Sequence, residues 1–146
     1  MAQSVVWSHE TVLAAEPGSA AKARAFVLEH LVEHRLLYLV DHVRAVASEL
    51  ATNAVIHART AFTVTLEGRM QSVLLAVRDG SSARPQPPVD TLAPASATSG
   101  RGLMVVSTFS ESWGVTLWED DTKSVWASFG VRGRPTGEPA GRTEQT

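Results

Sequence analysis

The sequence predicts an α+β two-layer sandwich, a mixed sheet with helices on one face. Three observations lead to it. Two segments before residue 60 carry apolar residues at three- and four-residue steps, the period of amphipathic helices. Two pairs of short runs, one on either side of residue 100, have strand composition. A Pro-rich stretch and a further short helix separate those pairs. A mixed sheet with helices on one face satisfies the order helix, helix, strand, strand, loop, helix, strand, strand.

Val5 to Leu13 mixes apolar and polar residues and reads as an edge strand. Pro17-Gly18-Ser19 reads as a turn with Ser19 as a helix cap. From Ala20 to about His34, Ala23, Phe26, Val27 and Leu31 form one apolar stripe. A longer helix is expected from Leu37 to Ala58, with Val40, Val43, Ala47, Leu50, Ala51, Ala54 and Val55 as its buried stripe. Ala61–Glu67 alternates Phe62, Val64 and Leu66 with Thr63 and Thr65, which predicts a strand with one wet face. Gly68-Arg69-Met70-Gln71 joins it to Ser72–Arg78, whose unbroken Val73, Leu74, Leu75, Ala76 and Val77 predict burial on both faces. Asp79 to Gly100 holds Pro85, Pro87, Pro88 and Pro94 among Ser, Ala and Thr and reads as a long irregular lid. Gly100-Arg101-Gly102 opens a helix reaching Phe109. Trp113–Trp118 and Ser124–Phe129 are the last strands, with Glu119-Asp120-Asp121-Thr122 as their turn. Residues 1–130 are expected to form one domain and 131–146 a disordered tail.

Composition narrows the function classes. The chain has 146 residues, 44% hydrophobic and 19% charged, with a formal net charge of −2. That composition supports a core and carries no basic footprint for nucleic acid. There is no cysteine, so disulfides, thiolate metal sites and cysteine nucleophiles are impossible, and a cytoplasmic location fits. The N-terminus lacks a basic segment followed by an apolar run, and no apolar stretch approaches the ~20 residues of a membrane helix.

Three motifs carry chemistry. Glu49, Asn53 and His57 recur at four-residue steps, a polar row beside Leu50 and Val55. A carboxylate and an amide at the rim of a buried face need partners, and Mg²⁺ with phosphate supplies them. A solvated helix face is the plain alternative. Asp79-Gly80 ends a buried strand, where the carboxylate can accept from a ligand amine, although Asp-Gly is also a common turn. Ser99-Gly100-Arg101-Gly102-Leu103 puts two glycines at a helix start, open to a phosphate or serving as a hinge.

Taken in order, these motifs resemble the N box and the two glycine boxes of the GHKL ATP-binding fold. Glu-Leu-x-x-Asn-Ala-x-x-His at 49–57 is similar to the compact bacterial branch that contains the anti-sigma-factor serine/threonine kinases. Ala23-Arg24-Ala25-Phe26-Val27 resembles that branch's first helix, and Lys123-Ser124-Val125-Trp126 its last strand. The resemblance covers roughly residues 20–129. It implies that Asn53 holds Mg²⁺ and that Glu49 is the general base for an attacking hydroxyl. Asp79, followed by Gly80, takes the adenine amino group. Gly100, Arg101, Gly102 and Leu103 lie along the phosphates, with Arg101 as a charge partner. Ser124 supplies a hydroxyl toward adenine. His57 either touches phosphate or closes its helix. The fuller motif carries two glycines after the aspartate; here only Gly80 follows, and Ser81 stands where the first motif glycine would be.

The resemblance implies a regulatory serine/threonine kinase that uses ATP and Mg²⁺ to phosphorylate an antagonist protein, can sequester a sigma factor and can dimerise. The alternative is a nucleotide-gated interaction module with little catalysis, as the single glycine suggests. The catalytic piece of a histidine kinase is disfavoured, because the chain leaves no room for a dimerisation helix pair. His30 and His34, also four apart, offer half a metal site, but no third ligand is forced and a surface helix is the expected reading. Trp7, Trp113, Trp118 and Trp126 are expected in core or sheet, with Trp126 beside Ser124 at the nucleotide pocket.

Overall fold

The computed structural model describes residues 4–80 and 97–131, with residues 97–102 described as backbone only. The expected lid between Asp79 and Gly100 lies almost wholly outside the described residues, as does the tail after Val131. Strand β1 spans Val5–Leu13 and helix α1 Ser19–Glu33. A 3₁₀ turn, Leu37–Leu39, leads into α2, Val40–Asn53, which continues as a π turn over Ala54–Ala58. Strands β2 (Phe62–Arg69) and β3 (Ser72–Asp79) form a hairpin. Helix α3, Ala97–Phe109, precedes the hairpin of β4 (Ser112–Leu117) and β5 (Lys123–Gly130).

The five strands lie in the order β1-β2-β3-β5-β4. Every pairing among them is antiparallel, so the sheet is not mixed as the sequence suggested. The reason lies in the last hairpin. The segment through α3 returns β4 in the direction of β3, as a mixed sheet requires. Strand β5 then folds back and takes the place between them, so neither has a parallel neighbour.

One face of the sheet forms the core. Phe62, Val64 and Leu66 of β2, Val73, Leu75 and Val77 of β3, and Ala127 and Phe129 of β5 are buried there. From the helices come Ala23, Val27 and Leu31 of α1 and Val40, Val43, Val46, Ala47, Leu50 and Ala51 of α2. Helix α2 packs against both α1 and α3, so it is the central helix of its layer. The expectation of two buried faces for β3 is corrected: its residues alternate between buried and half-buried, because among the described residues no helix covers Leu74, Ala76 and Arg78. An unbroken apolar run kept the alternation out of sight.

Ser19 is not the cap of α1. Gly18 occupies that position, and the buried Ser19 hydroxyl instead donates to the Ala14 carbonyl at 2.6 Å. This ties the end of β1 to the first turn of α1. At the other end, Trp7 lies over Gly68, where any β-carbon would collide with its indole. Among the described residues, no helix is long and apolar enough to cross a membrane.

Candidate nucleotide site

Glu49 and Asn53 stand one turn apart at the end of α2, both half-buried beside the fully packed Leu50 and Ala51. Each supplies an oxygen donor. A carboxylate and an amide carbonyl suit a hard cation such as Mg²⁺, which takes the rest of its shell from water and phosphate. After Asn53 the helix widens. The Arg59 N–H donates to the Ala54 carbonyl at 3.2 Å, five residues back, and Arg59 leaves the helix with φ of 58°. His57 falls inside that turn and is exposed. Of the row expected from an α-helix, Glu49 and Asn53 stand on regular helix, and His57 lies beyond them on the π turn. π turns of this kind recur at functional sites.

Asp79 closes β3 on its core-facing side, in line with Val73, Leu75 and Val77, and is 4% exposed. Its register partners are Phe62 on β2 and Lys123 on β5. Lys123 Nζ lies 3.6 Å from Asp79 Oδ2, an ion pair longer than a hydrogen bond. The next peptide is held too, since the Gly80 N–H donates to Thr60 Oγ1 at 3.2 Å. A β-carbon at Gly80 would find Thr60 Oγ1 at an ordinary 3.7 Å, so packing among the described residues does not demand glycine there. Neither Thr60 nor Lys123 is marked in the sequence as a partner of Asp79. Thr60 belongs to no motif and reaches the strand end from the loop before β2, and Lys123, though it opens the run Lys123-Ser124-Val125-Trp126, is brought beside Asp79 by the strand register.

Helix α3 begins at Ala97, three residues before the glycines were expected to open it. Gly100 lies in its first turn and Arg101 and Gly102 follow inside it. Only the first four N–H groups of a helix lack internal partners, which reaches Gly100 and not Gly102. The Arg101 side chain is outside the described residues. Leu103 is half-buried and Val106 fully buried, which fastens α3 to the core next to α2.

Ser124 does not join this group. It pairs with Arg78, one step from the Asp79–Lys123 pair, and so projects from the opposite face of the sheet. There it accepts a 3.0 Å hydrogen bond from the Trp118 indole N–H. Trp126 shares that outer face and packs over Gly114, where a β-carbon would meet its ring at 2.7 Å. The outer end of the sheet is thus a separate cluster. Arg78 stacks over Trp118 at 4.3 Å, donates to Thr122 Oγ1 at 2.9 Å and pairs with Asp120 at 3.2 Å.

The π turn continuing α2 packs against β3, and Thr60, two residues after it, holds the peptide that follows Asp79, so the C-terminal end of α2 and the Asp79 end of β3 lie at the same end of the helix–sheet interface. Such an end can take a flat polar base at the sheet and a charged group at the helix. A family model described as a histidine kinase-like ATPase domain matches residues 13–129, most of the chain, and the chain belongs to that family. No curated protein matches it in sequence. Membership implies that the domain binds ATP.

Proposed function

We propose that this member of the histidine kinase-like ATPase family is a regulatory serine/threonine protein kinase of the anti-sigma type. In this reading it transfers the ATP γ-phosphoryl group to a hydroxyl of an antagonist protein, and its folded surface captures a sigma factor. The observation that carries it is the Glu49–Asn53 oxygen pair, one turn apart at the end of α2, in a fold whose strand β3 ends on the buried Asp79. Asp79 accepts from the adenine amino group, and Lys123 and Thr60 hold that strand end in place. Asn53 holds Mg²⁺, which when bound neutralises phosphate charge. Glu49 takes the proton of the attacking hydroxyl as its oxygen bonds to the γ-phosphorus, and the bond to the β-phosphate oxygen breaks to release ADP. Gly100, Arg101, Gly102 and Leu103 line the phosphates, with the guanidinium as charge partner. His57, exposed on the π turn, is left to the phosphate edge or to helix closure.

Isothermal titration of ATP with Mg²⁺ into the wild type and Asn53→Ala tests the site. Binding that weakens at least tenfold in the variant is expected; equal binding refutes the metal role. Incubation with γ-labelled ATP and a candidate antagonist tests the transfer. Phosphoserine or phosphothreonine should form and disappear in Glu49→Gln. The single Gly80 before Ser81 favours a second reading, a nucleotide-gated binding module. Partner capture that needs ATP and is unchanged by Glu49→Gln, with no transfer, would decide for it.

A further inference from the structure

Three of the five histidines converge at a place the nucleotide reading does not use. His9 lies mid-way along β1, in the row that faces the helices with Trp7 and Leu13. His30 is in the last turn of α1 and His34 caps its end. The surface-helix expectation for His30 and His34 is thereby corrected, because the strand supplied the partner that the helix spacing alone could not.

The donor atoms are close. His9 Nε2 and His34 Nε2 are 2.9 Å apart, and His30 Nδ1 is 2.8 Å from Glu33 Oε1. His9 Nε2 lies 3.9 Å from the same Glu33 oxygen. One donor atom each from His9, His30 and Glu33 falls within 4.8 Å of the others. Around a tetrahedral Zn²⁺ with bonds of about 2.0–2.2 Å, neighbouring donors sit roughly 3.3–3.5 Å apart. The pairs in the cluster bracket that span.

The surroundings favour a held site over a chance meeting of surface side chains. Trp7 stacks on His34 with ring centroids 3.8 Å apart and planes 4° from parallel. Phe26 meets His30 edge-on at 4.9 Å. His30 is only 16% exposed and His9 26%, while Glu33, at 52%, leaves a way in from solvent. The His9 and His30 rings are stacked at 3.8 Å and 10°, so one must rotate to aim both lone pairs at a common point. The ring torsion of histidine is soft enough for that without moving the backbone.

We propose that His9, His30 and Glu33, with His34 as the nearest fourth donor, bind one transition-metal ion of the Zn²⁺ class between β1 and α1. The imidazole donors select such a metal over Mg²⁺ or Ca²⁺, and a carboxylate completes its shell as readily. The ion takes the place of the hydrogen shared by His9 and His34 and ties the edge strand to the first helix.

The test uses untagged, full-length protein stripped with a chelator and then dialysed. Titration with Zn²⁺ should give one saturable site per chain. The His9→Ala/His30→Ala double variant should weaken it at least tenfold, and so should Glu33→Gln, whose exposed side chain leaves the fold intact. Co²⁺ should give the visible absorption of a four-coordinate site in the wild type and lose it in both variants. Circular dichroism and Mg·ATP binding check that the variants are folded. No saturable Zn²⁺ site in the wild type, or less than a tenfold loss in the folded variants, overturns the proposal. The Mg·ATP readout is separate, so failure here leaves the nucleotide reading standing, and the reverse also holds.

Discussion

Asp79 and Ser124 sit on neighbouring strands yet belong to opposite sides of the sheet. The motif reading treated both as adenine contacts, and the register separates them. Side chains alternate along a strand, so a one-residue difference in pairing changes the face. Asp-Gly at a strand end is visible in sequence because both residues are chemically marked. Which of Lys123 and Ser124 stands beside the aspartate depends on a partner strand more than forty residues away, and nothing local states it. The difference has a measurable consequence. Asp79→Ala removes a charged hydrogen-bond acceptor, a loss of about 1.5–3 kcal/mol, so ATP binding should weaken about tenfold to a hundredfold. Ser124→Ala removes only the acceptor of the Trp118 indole and should leave the ATP dissociation constant within about twofold, well under 1 kcal/mol. Titration calorimetry on the two variants checks both. A large loss in Ser124→Ala would place the adenine on the outer face.

Among the elements, amphipathic spacing located α1 and α2 closely, because their buried stripes are long and regular. The changes of helix type at Leu37–Leu39 and Ala54–Ala58 were not legible. A π turn stabilises itself by one shifted hydrogen bond, and no residue type specifies it. The β4–β5 turn was legible in composition, but not its chemistry. Asp120 receives hydrogen bonds from the Thr122 hydroxyl at 2.6 Å and the Thr122 backbone N–H at 3.1 Å, with Arg78 beside it. Those bonds, the Thr122 hydroxyl foremost, hold its carboxyl below the usual range. A carboxyl lowered on folding stabilises the turn above its ordinary value and loses that contribution as pH falls through the lowered one. Acidification below about pH 4 should therefore loosen the turn and unstack Trp118 from Arg78. The indole N–H resonance of Trp118 reports it. Asp120→Asn should remove the pH-dependent shift, and an unchanged titration in that variant would assign the effect to another group.

At the scale of the molecule, one sheet face and one helix layer make a single core, and two functional proposals sit at separate parts of it. That the helices cover one face followed from the order of elements. That β5 enters between β3 and β4 did not, because hairpins and crossovers leave the same local pattern. The placement also predicts independence. On β2, His9 pairs with Leu66, while Asp79 pairs with Phe62. Four residues along the strand and two strands across put the backbones at the two sites about 16 Å apart, from about 3.3 Å per residue and 4.8 Å per strand. Sites beyond about 10 Å with no shared partners act additively within about 0.5 kcal/mol. Mg·ATP at about a hundred times its dissociation constant should stabilise the fold by about 2.7 kcal/mol. The same gain is expected in the His9→Ala/His30→Ala variant, and in the wild type a Zn²⁺ increment should add to it. Thermal unfolding with each ligand and with both measures the sum. A joint shift well above or below it would mean that the β1–α1 clamp and the nucleotide end of α2 communicate, through the α1–α2 packing or through the β1–β2–β3 strand pairings.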